Sequence, residues 1–435
     1  MKRVTCTGCS LLCDDIIIRT DGLFIDEVVG TCLKGKEHFD QITAKNRVLH
    51  PLVKKQEKLE KASWDEAYRK SIDLLKTAKN PLLYGFSTSS CEAQLKGIEL
   101  AKELNAFISS NAAICQGRVL EASKENGLTL TSISEVINKA DLIISWGANV
   151  AESIPRLLNK ILFSRGKFRM TGREIKTFVI IDPVQTASFG VMGVRDLALK
   201  IEPNKDIELI RLLKEECCTA GSIPSEGAAG LDSNDLKRLL LHLTGAEYGV
   251  ILVGQGLLTP HKDYDLLKEF LELIELIQSK QEKGRITLML LGGHYNMAGF
   301  DQISLANFGT NGILQFKNNE RVDIEENLVS KIDSENFDVS IFVGTDPISH
   351  LPYKLSKKLL KHPIIVIDNK HSATVDVADI VLPSSITGIE NSGIAIRLDQ
   401  VPINLQKIVN PPNNLPSDEE ILTNLLEKLQ INGDK

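Results

Sequence analysis

The sequence predicts an α/β protein of several domains with parallel sheets, preceded by a small β segment that carries clustered cysteines. Three observations predict it. Short runs of Val, Ile and Leu alternate with longer amphipathic stretches along most of the chain. The runs are apolar at successive positions, as strands buried on both faces between helices must be. And 435 residues exceed what one hydrophobic core accommodates, so about two to four domains are expected.

The elements follow in order. In residues 1–50, "DDIIIRT" (14–20) and "LFIDEVVG" (23–30) read as two strands around the turn Asp21-Gly22. "PLLYGF" (81–86) leads to a helical pattern over Cys91–Leu104, and "DLIISWG" (141–147) to one over Ala151–Phe163. "KTFVIIDP" (176–183) leads on to Asp206–Glu216, and "GVILVGQG" (249–256) to Tyr264–Lys280. "ITLMLLGG" (286–293), "DVSIFVGTDP" (338–347) and "PIIVIDN" (363–369) complete the strands. The charged, Gly- and Ser-containing stretch 215–235 is predicted to link a first α/β region (51–215) to a second (236–405). Residues 406–435 read as a Pro/Asn turn region and a terminal helix, which Ser417 and Glu420 open as a capping box.

Charge narrows the function classes. With 51 basic and 57 acidic side chains the net charge is −6, which argues against a nucleic-acid binder. No apolar run approaches the ~20 residues of a membrane span, and the N-terminus has no signal-peptide pattern. The expected setting is cytoplasmic and reducing, where clustered cysteines serve as metal ligands or redox groups rather than disulfides.

Three strands end in short polar turns: "WGANVAES" (146–153), "IDPVQT" (181–186) and "VGTDPISH" (343–350). Ligands bind at the carboxyl ends of parallel strands, where Gly admits a phosphate and Asp accepts from ribose or amino groups. Three such turns predict an extended, nucleotide-like ligand, although each alone is a common strand terminator.

"VTCTGCSLLCDD" (4–15) places Cys6, Cys9 and Cys13 close together, and Cys32 follows at a distance. Structural zinc sites usually pair two close knuckles. Three near thiols and one remote favour a [4Fe–4S] cluster, with zinc or no metal as the alternatives. Lys34 follows Cys32 and either lies between a cluster and an anionic partner or is a solvated lysine. Cys115, in "SSNAAICQGRVLEA", is either a buried core thiol or a thiolate on a loop near a helix start.

Taken in this order, the four-cysteine N-terminus, "WGANVAESIPRL", "IDPVQT", and "GTDPISH" with "VIDNKHSATVDVADIVLP" and "GIENSGIAIRLDQVPI" resemble the molybdopterin oxidoreductases, the family typified by formate dehydrogenase. The resemblance covers essentially residues 1–405. Within it, "CTGCSLLCDDI" and "GGHYNMAGFDQ" (292–302) are most similar to the B subunits of formylmethanofuran dehydrogenase, the tungsten or molybdenum enzymes of methanogenic and related archaea.

The resemblance implies a redox subunit that reduces carbon dioxide to formate. It implies a [4Fe–4S] cluster on Cys6, Cys9, Cys13 and Cys32, and W or Mo held by Cys115 and two molybdopterin guanine dinucleotides. Gly147, Asn149, Glu152, Asp182, Pro183, Gly344, Asp346, His350, Asp368 and Asp379 become candidate pterin contacts, and Lys34 a residue between cluster and pterin. The implied partners are an amidohydrolase-like subunit, polyferredoxin-type subunits, and one carrying the C-terminal β-barrel of longer relatives, which this chain is expected to lack. No nucleic acid or membrane span is expected.

Two positions depart from the family pattern. Gln116 stands where relatives commonly have an acid/base His after the metal cysteine, and Gly292 where a substrate-binding Arg is expected. His294, Arg285 and Arg118 are the candidates to replace them. The departures keep two alternatives open: a formate-dehydrogenase-like enzyme of another substrate, and a non-catalytic scaffold of a formyltransferase/hydrolase-type complex. A zinc-bound nucleotide-binding module is a third.

Overall fold

The computed structural model describes residues 1–123, 127–167, 172–258, 264–281, 284–324 and 326–431. The end of the predicted tail, 432–435, lies outside the described residues. The chain forms two compact units: Met1–Ala113 with His294–Arg397 and Pro402–Lys435, and Ile114–Gly293 with Leu398–Val401.

Among the described residues the first unit carries a nine-stranded sheet. Five central strands are parallel, in the order Phe107–Ser110, Pro81–Gly85, Val339–Val343, Ile364–Asp368, Ile380–Pro383. The strand predictions for Pro81–Gly85, Val339–Val343 and Ile364–Asp368 hold, and each is buried throughout. The expected parallel pairing forms the centre of this sheet, which is mixed as a whole. Antiparallel hairpins close both edges: Leu52–Lys55 with Lys58–Lys61, and Ile313–Lys317 with Glu320–Val322. Their two-residue turns, Gln56-Glu57 and Asn318-Asn319, have positive φ at both positions, the twist that suits tight hairpins. Asn318-Asn319 is a legible signal; Gln56-Glu57 is not.

A separate three-stranded antiparallel sheet joins Lys2–Val4, Ile16–Thr20 and Ile25–Val29. The terminal helix Asp418–Ile431 packs Ile421, Leu422 and Leu425 into the unit's core. Its capping box is formed, with Ser417 N donating to Glu420 Oε2 (2.7 Å) and Glu420 N to Ser417 Oγ (3.2 Å).

The second unit has a parallel five-stranded sheet, in the order Leu197–Leu199, Thr177–Ile181, Leu142–Trp146, Gly249–Val253, Ile286–Leu290. The helices Asp206–Cys218, Ser233–Gly245 and Tyr264–Lys280 belong to the same unit. Ile223, Ala229 and Leu231, from the stretch 215–235, join its core.

The predicted helix over Ala151–Phe163 is interrupted. A short turn, Val150–Ser153, is followed by a π-helical turn, Asn159–Phe163. Pro155 disfavours helical backbone at the preceding residue. Beyond it, the buried Lys176 ammonium donates to the carbonyls of Ile161 (2.7 Å), Ser164 (3.2 Å) and Ile137 (3.3 Å). No helix among the described residues is long and apolar enough to cross a membrane.

Candidate functional site

Each parallel sheet reverses its strand order once. In the first unit the chain turns outward in opposite directions from Pro81–Gly85 and Val339–Val343; in the second, from Leu142–Trp146 and Gly249–Val253. Such reversals leave a crevice at the carboxyl ends of the strands, where doubly wound folds bind their ligands.

At the first unit's crevice, Gly344 has φ +57°, and a Cβ there would overlap Thr88 Oγ1, which donates to Gly344 O (2.8 Å). Asp346 accepts from Thr374 Oγ1 (2.5 Å) and Ser349 Oγ (2.7 Å). Burial raises its carboxyl, but these bonds outweigh burial and hold it below the usual range. His350 meets Tyr84 OH at 3.1 Å, and burial lowers its pKa. Asp368, at the next strand end, is pushed up to about 6 by burial despite the lowering charge of Lys370.

The segment "GHYN" is fixed at this crevice by its last two residues. Tyr295 OH donates to Thr88 O (2.7 Å). Asn296 is fully buried; its Nδ2 donates to Ser89 O (2.8 Å), and its Oδ1 accepts from Ile396 N (2.7 Å). His294 is left reachable by solvent yet crowded by protein. Burial first, then the charges of His350, Lys34 and Lys370, bring it down to about 4. The fold therefore gathers Lys34, His294 and His350, as predicted candidates, with Lys370.

The thiol loop belongs to the same unit. Cys6, Cys9 and Cys13 are buried, Cys32 is partly exposed, and none of the eight cysteines is in a disulfide. Cys6 N donates to Cys13 O (2.9 Å), closing the loop. Cys32 caps the helix Leu33–Asp40, its sulfur accepting from Gly35 N (3.4 Å). Gly35 admits Cys6: a Cβ there would stand 3.0 Å from its sulfur. Burial pushes the Cys6 thiol up to about 12, and Cys9, Cys13 and Cys32 add to the rise. Among the described residues no three His, Cys, Asp or Glu converge as one bound ion requires. A cubane would take one thiolate on each of its irons, and these four side chains are of the type it requires.

In the second unit, Gly147 has φ +62°, and a Cβ would overlap Leu257 N. Asn149 Nδ2 donates to Glu152 Oε2 (2.7 Å). Asp182, followed by Pro183, accepts from Val184 N (2.9 Å), and burial raises its carboxyl. Cys115 also lies at this carboxyl edge. Its sulfur is 3.7 Å from Leu291 O, beyond the strand Ile286–Leu290, and Gln255 Nε2 donates to Ile114 O (2.9 Å). Gln116 is buried at the start of the short helix Gly117–Ala122. Arg118 is half-buried, its Nη1 donating to Leu258 O (2.5 Å).

Two candidates stand elsewhere. Asp379 precedes the strand Ile380–Pro383, at the amino ends, and accepts from Ile364 N (2.8 Å). Arg285 is exposed and precedes Ile286–Leu290, at the amino edge of the other sheet. Other residues that follow these strand ends were not singled out from the sequence: Lys370, the hydroxyl run Ser87–Ser90, and Gln255-Gly256. "FSTSS" and "GQG" after buried strands were the available signals.

The residues fit an extended polar cofactor. The buried atoms Asn369 Oδ1 and Asn111 Oδ1 in the first unit, and Thr186 Oγ1 in the second, have no hydrogen-bond partner among the described residues. The two amide oxygens can accept, and the hydroxyl can donate or accept, from a bound group or an ordered water.

Residues 47–428 match the family model described as molybdopterin oxidoreductase. The chain is 29% identical to the B subunit of tungsten-containing formylmethanofuran dehydrogenase 2 from Methanocaldococcus jannaschii, over 99% of this chain and 98% of that protein. It is 29% identical to the protein of the same name from Methanococcus maripaludis, over 98% of both. Among solved structures, a chain of the formyltransferase/hydrolase complex (FhcABCD) from Methylorubrum extorquens, in complex with methylofuran, aligns with a TM-score of 0.70 at 19% identity, covering 88% of this chain and all of that one. Acetylene hydratase from Pelobacter acetylenicus aligns with a TM-score of 0.70 at 12% identity, covering 99% and 69%. At these identities both structures speak to fold alone.

Proposed function

The chain belongs to the molybdopterin oxidoreductase family, and from that premise we propose that it is the redox-active B subunit of a formylmethanofuran dehydrogenase. It reduces carbon dioxide to formate, which a partner protein condenses with methanofuran; the reverse direction is equally allowed. Electrons pass a [4Fe–4S] cluster on Cys6, Cys9, Cys13 and Cys32. The observation that carries this reading is the gathering of Cys6, Cys9 and Cys13 in one buried loop, close enough to Cys32 for all three other thiols to act on Cys6, with Lys34 nearby acting on His294.

When bound, a tungsten or molybdenum centre on two pterin guanine dinucleotides supplies the two-electron chemistry. The chain's own residues do the rest. Cys115 offers its thiol from a carboxyl strand edge. Gly147 and Gly344 let backbone approach the dinucleotides, and Asn149, Glu152, Asp182, Pro183, Asp346 and Asp368 supply polar contacts. Asp379 and Arg285, at the amino ends, take no part in this arrangement. Lys34 and Lys370 supply the positive charge an anionic pterin requires, and His350, its pKa lowered by burial, offers a neutral ring beside them. His294 is neutral at pH 7, so it can accept a proton. Gln116 can hold an oxygen by hydrogen bonding but cannot carry protons.

A second reading rests on that last point. With Gln116 and Gly292 in place of His and Arg, the same centre would serve a formate-dehydrogenase-like reaction on another substrate. A scaffold without redox chemistry has no use for four clustered thiols. The relatives named as B subunits support assembly with other subunits, and the partners proposed are amidohydrolase-like, β-barrel and polyferredoxin-type ones.

The test is anaerobic purification with partners and measurement of metals per chain. About four irons and one W or Mo are expected. Iron without W or Mo would leave electron transfer alone, and zinc alone would overturn the reading.

A further inference from the structure

We propose that His38 and Thr7 are positioning residues for the iron–sulfur cluster, holding the Gly8 amide on the Cys6 sulfur and so raising the cluster's reduction potential. This rests on the reading that the four thiols hold such a cluster.

Thr7 lies between Cys6 and Gly8. Its Oγ1 stands 3.0 Å from Thr387 O and 2.7 Å from His38 Nε2. A hydroxyl has one proton, and a carbonyl only accepts. The Thr7 proton therefore goes to Thr387 O, and His38 Nε2 carries a proton and donates it to Thr7 Oγ1. The opposite assignment would set two acceptor oxygens against each other inside the protein. Hydrogen-bond logic thus fixes the His38 tautomer.

The contact with Thr387 is close along the backbone. Gly388 has φ +78°, and a Cβ there would come within 2.6 Å of Thr7 Cγ2. His38 belongs to the helix Leu33–Asp40 that Cys32 caps, so it ties the remote thiol's helix to the three-thiol loop. Held on both sides, Thr7 fixes the backbone that aims Gly8 N at Cys6 Sγ, at 3.4 Å. Amide donors to cluster-bound sulfur favour the reduced, more negative state and raise the potential. Loosening the clamp should lower it.

The test is an EPR-monitored redox titration of the anaerobically purified complex, with iron content measured first. Thr7→Val removes the hydroxyl at constant shape, and His38→Phe removes the donor. Both should shift the midpoint potential downward at full iron content. Thr7→Ser and His38→Gln restore a hydroxyl and an N–H donor, and should titrate like the wild type. A wild-type potential in Thr7→Val, or an equal shift in Thr7→Ser, would overturn the clamp. Should Thr7→Val assemble no cluster, the His38→Phe and His38→Gln pair decides by the same criterion. Absence of iron from the wild type would instead sink the cluster reading itself.

Discussion

Arg47 and Glu390, 343 residues apart, form a bidentate ion pair inside the first unit, with Nη1–Oε1 at 2.8 Å and Nη2–Oε2 at 2.9 Å. Their side chains are 3% and 1% exposed, so neither charge has water to fall back on. Glu390 Oε2 also accepts from Ile386 N (2.8 Å), and Arg47 makes a backbone bridge to Lys370. The pair thus pins the loop that carries Thr387 to the region of Lys370. Glu390→Gln strands the guanidinium and should cost roughly 3–5 kcal/mol. Arg47→Met with Glu390→Gln should cost less than the sum of the single changes, as urea unfolding in a double-mutant cycle would read.

Asp368 gives a prediction of opposite sign. Its folded pKa of about 6 exceeds the ordinary 3.8. Between those values the folded chain holds a proton that the unfolded chain has lost. Stability therefore falls as pH rises through the window, and the penalty is complete above it. Asp368→Asn has no charge to bury and keeps an acceptor for Asn369 N. The cofactor-free variant should exceed the wild type by about 3 kcal/mol at pH 7.5 and lose that advantage near pH 4. Equal pH dependence in the two proteins would remove the assignment of a buried carboxyl.

His294 should confer acid sensitivity. Its folded pKa of about 4 lies below the ordinary 6.5, so the unfolded chain binds the proton first as pH falls. Stability is lost from pH 6.5 down towards 4, and none of this effect acts above pH 6.5. His294→Gln should match the wild type in urea midpoint at pH 8 and pull ahead of it by pH 5. In activity, the variant should lower kcat if the ring accepts a proton from substrate.

Cys115→Ser should leave the iron content of the purified complex intact and lose most of the W or Mo. Elemental analysis separates the two. Normal W or Mo in the variant would show that this thiol is not the protein's ligand.

The strands were legible because each is a run of β-branched residues buried on both faces, as in "LIISW" and "IIVID". Cys115 and the N-terminal thiols stood out as candidates because their flanking residues form ordered motifs, and the fold gathers Cys6, Cys9 and Cys13 in one loop. What escaped was set by tertiary structure. Asp379 follows an alternation that looks like its neighbours', yet it opens a strand instead of closing one. Arg285 is near "GGHYN" in sequence, but a whole strand separates it from that carboxyl edge. Lys370 acts on His38, His294 and Asp368 from a turn whose sequence does not announce a charge cluster. The π-helical turn at Asn159–Phe163 is contacted by Lys176, distant in sequence and placed just before the strand Thr177–Ile181.

That lysine does the work of a bound cation. Lys176 binds three carbonyls as a potassium ion would, but the ion is tethered to the strand that needs it. No chelator can withdraw it, and no delivery system has to load it. The turn Asn159–Phe163 is therefore held by a cation that the chain itself supplies.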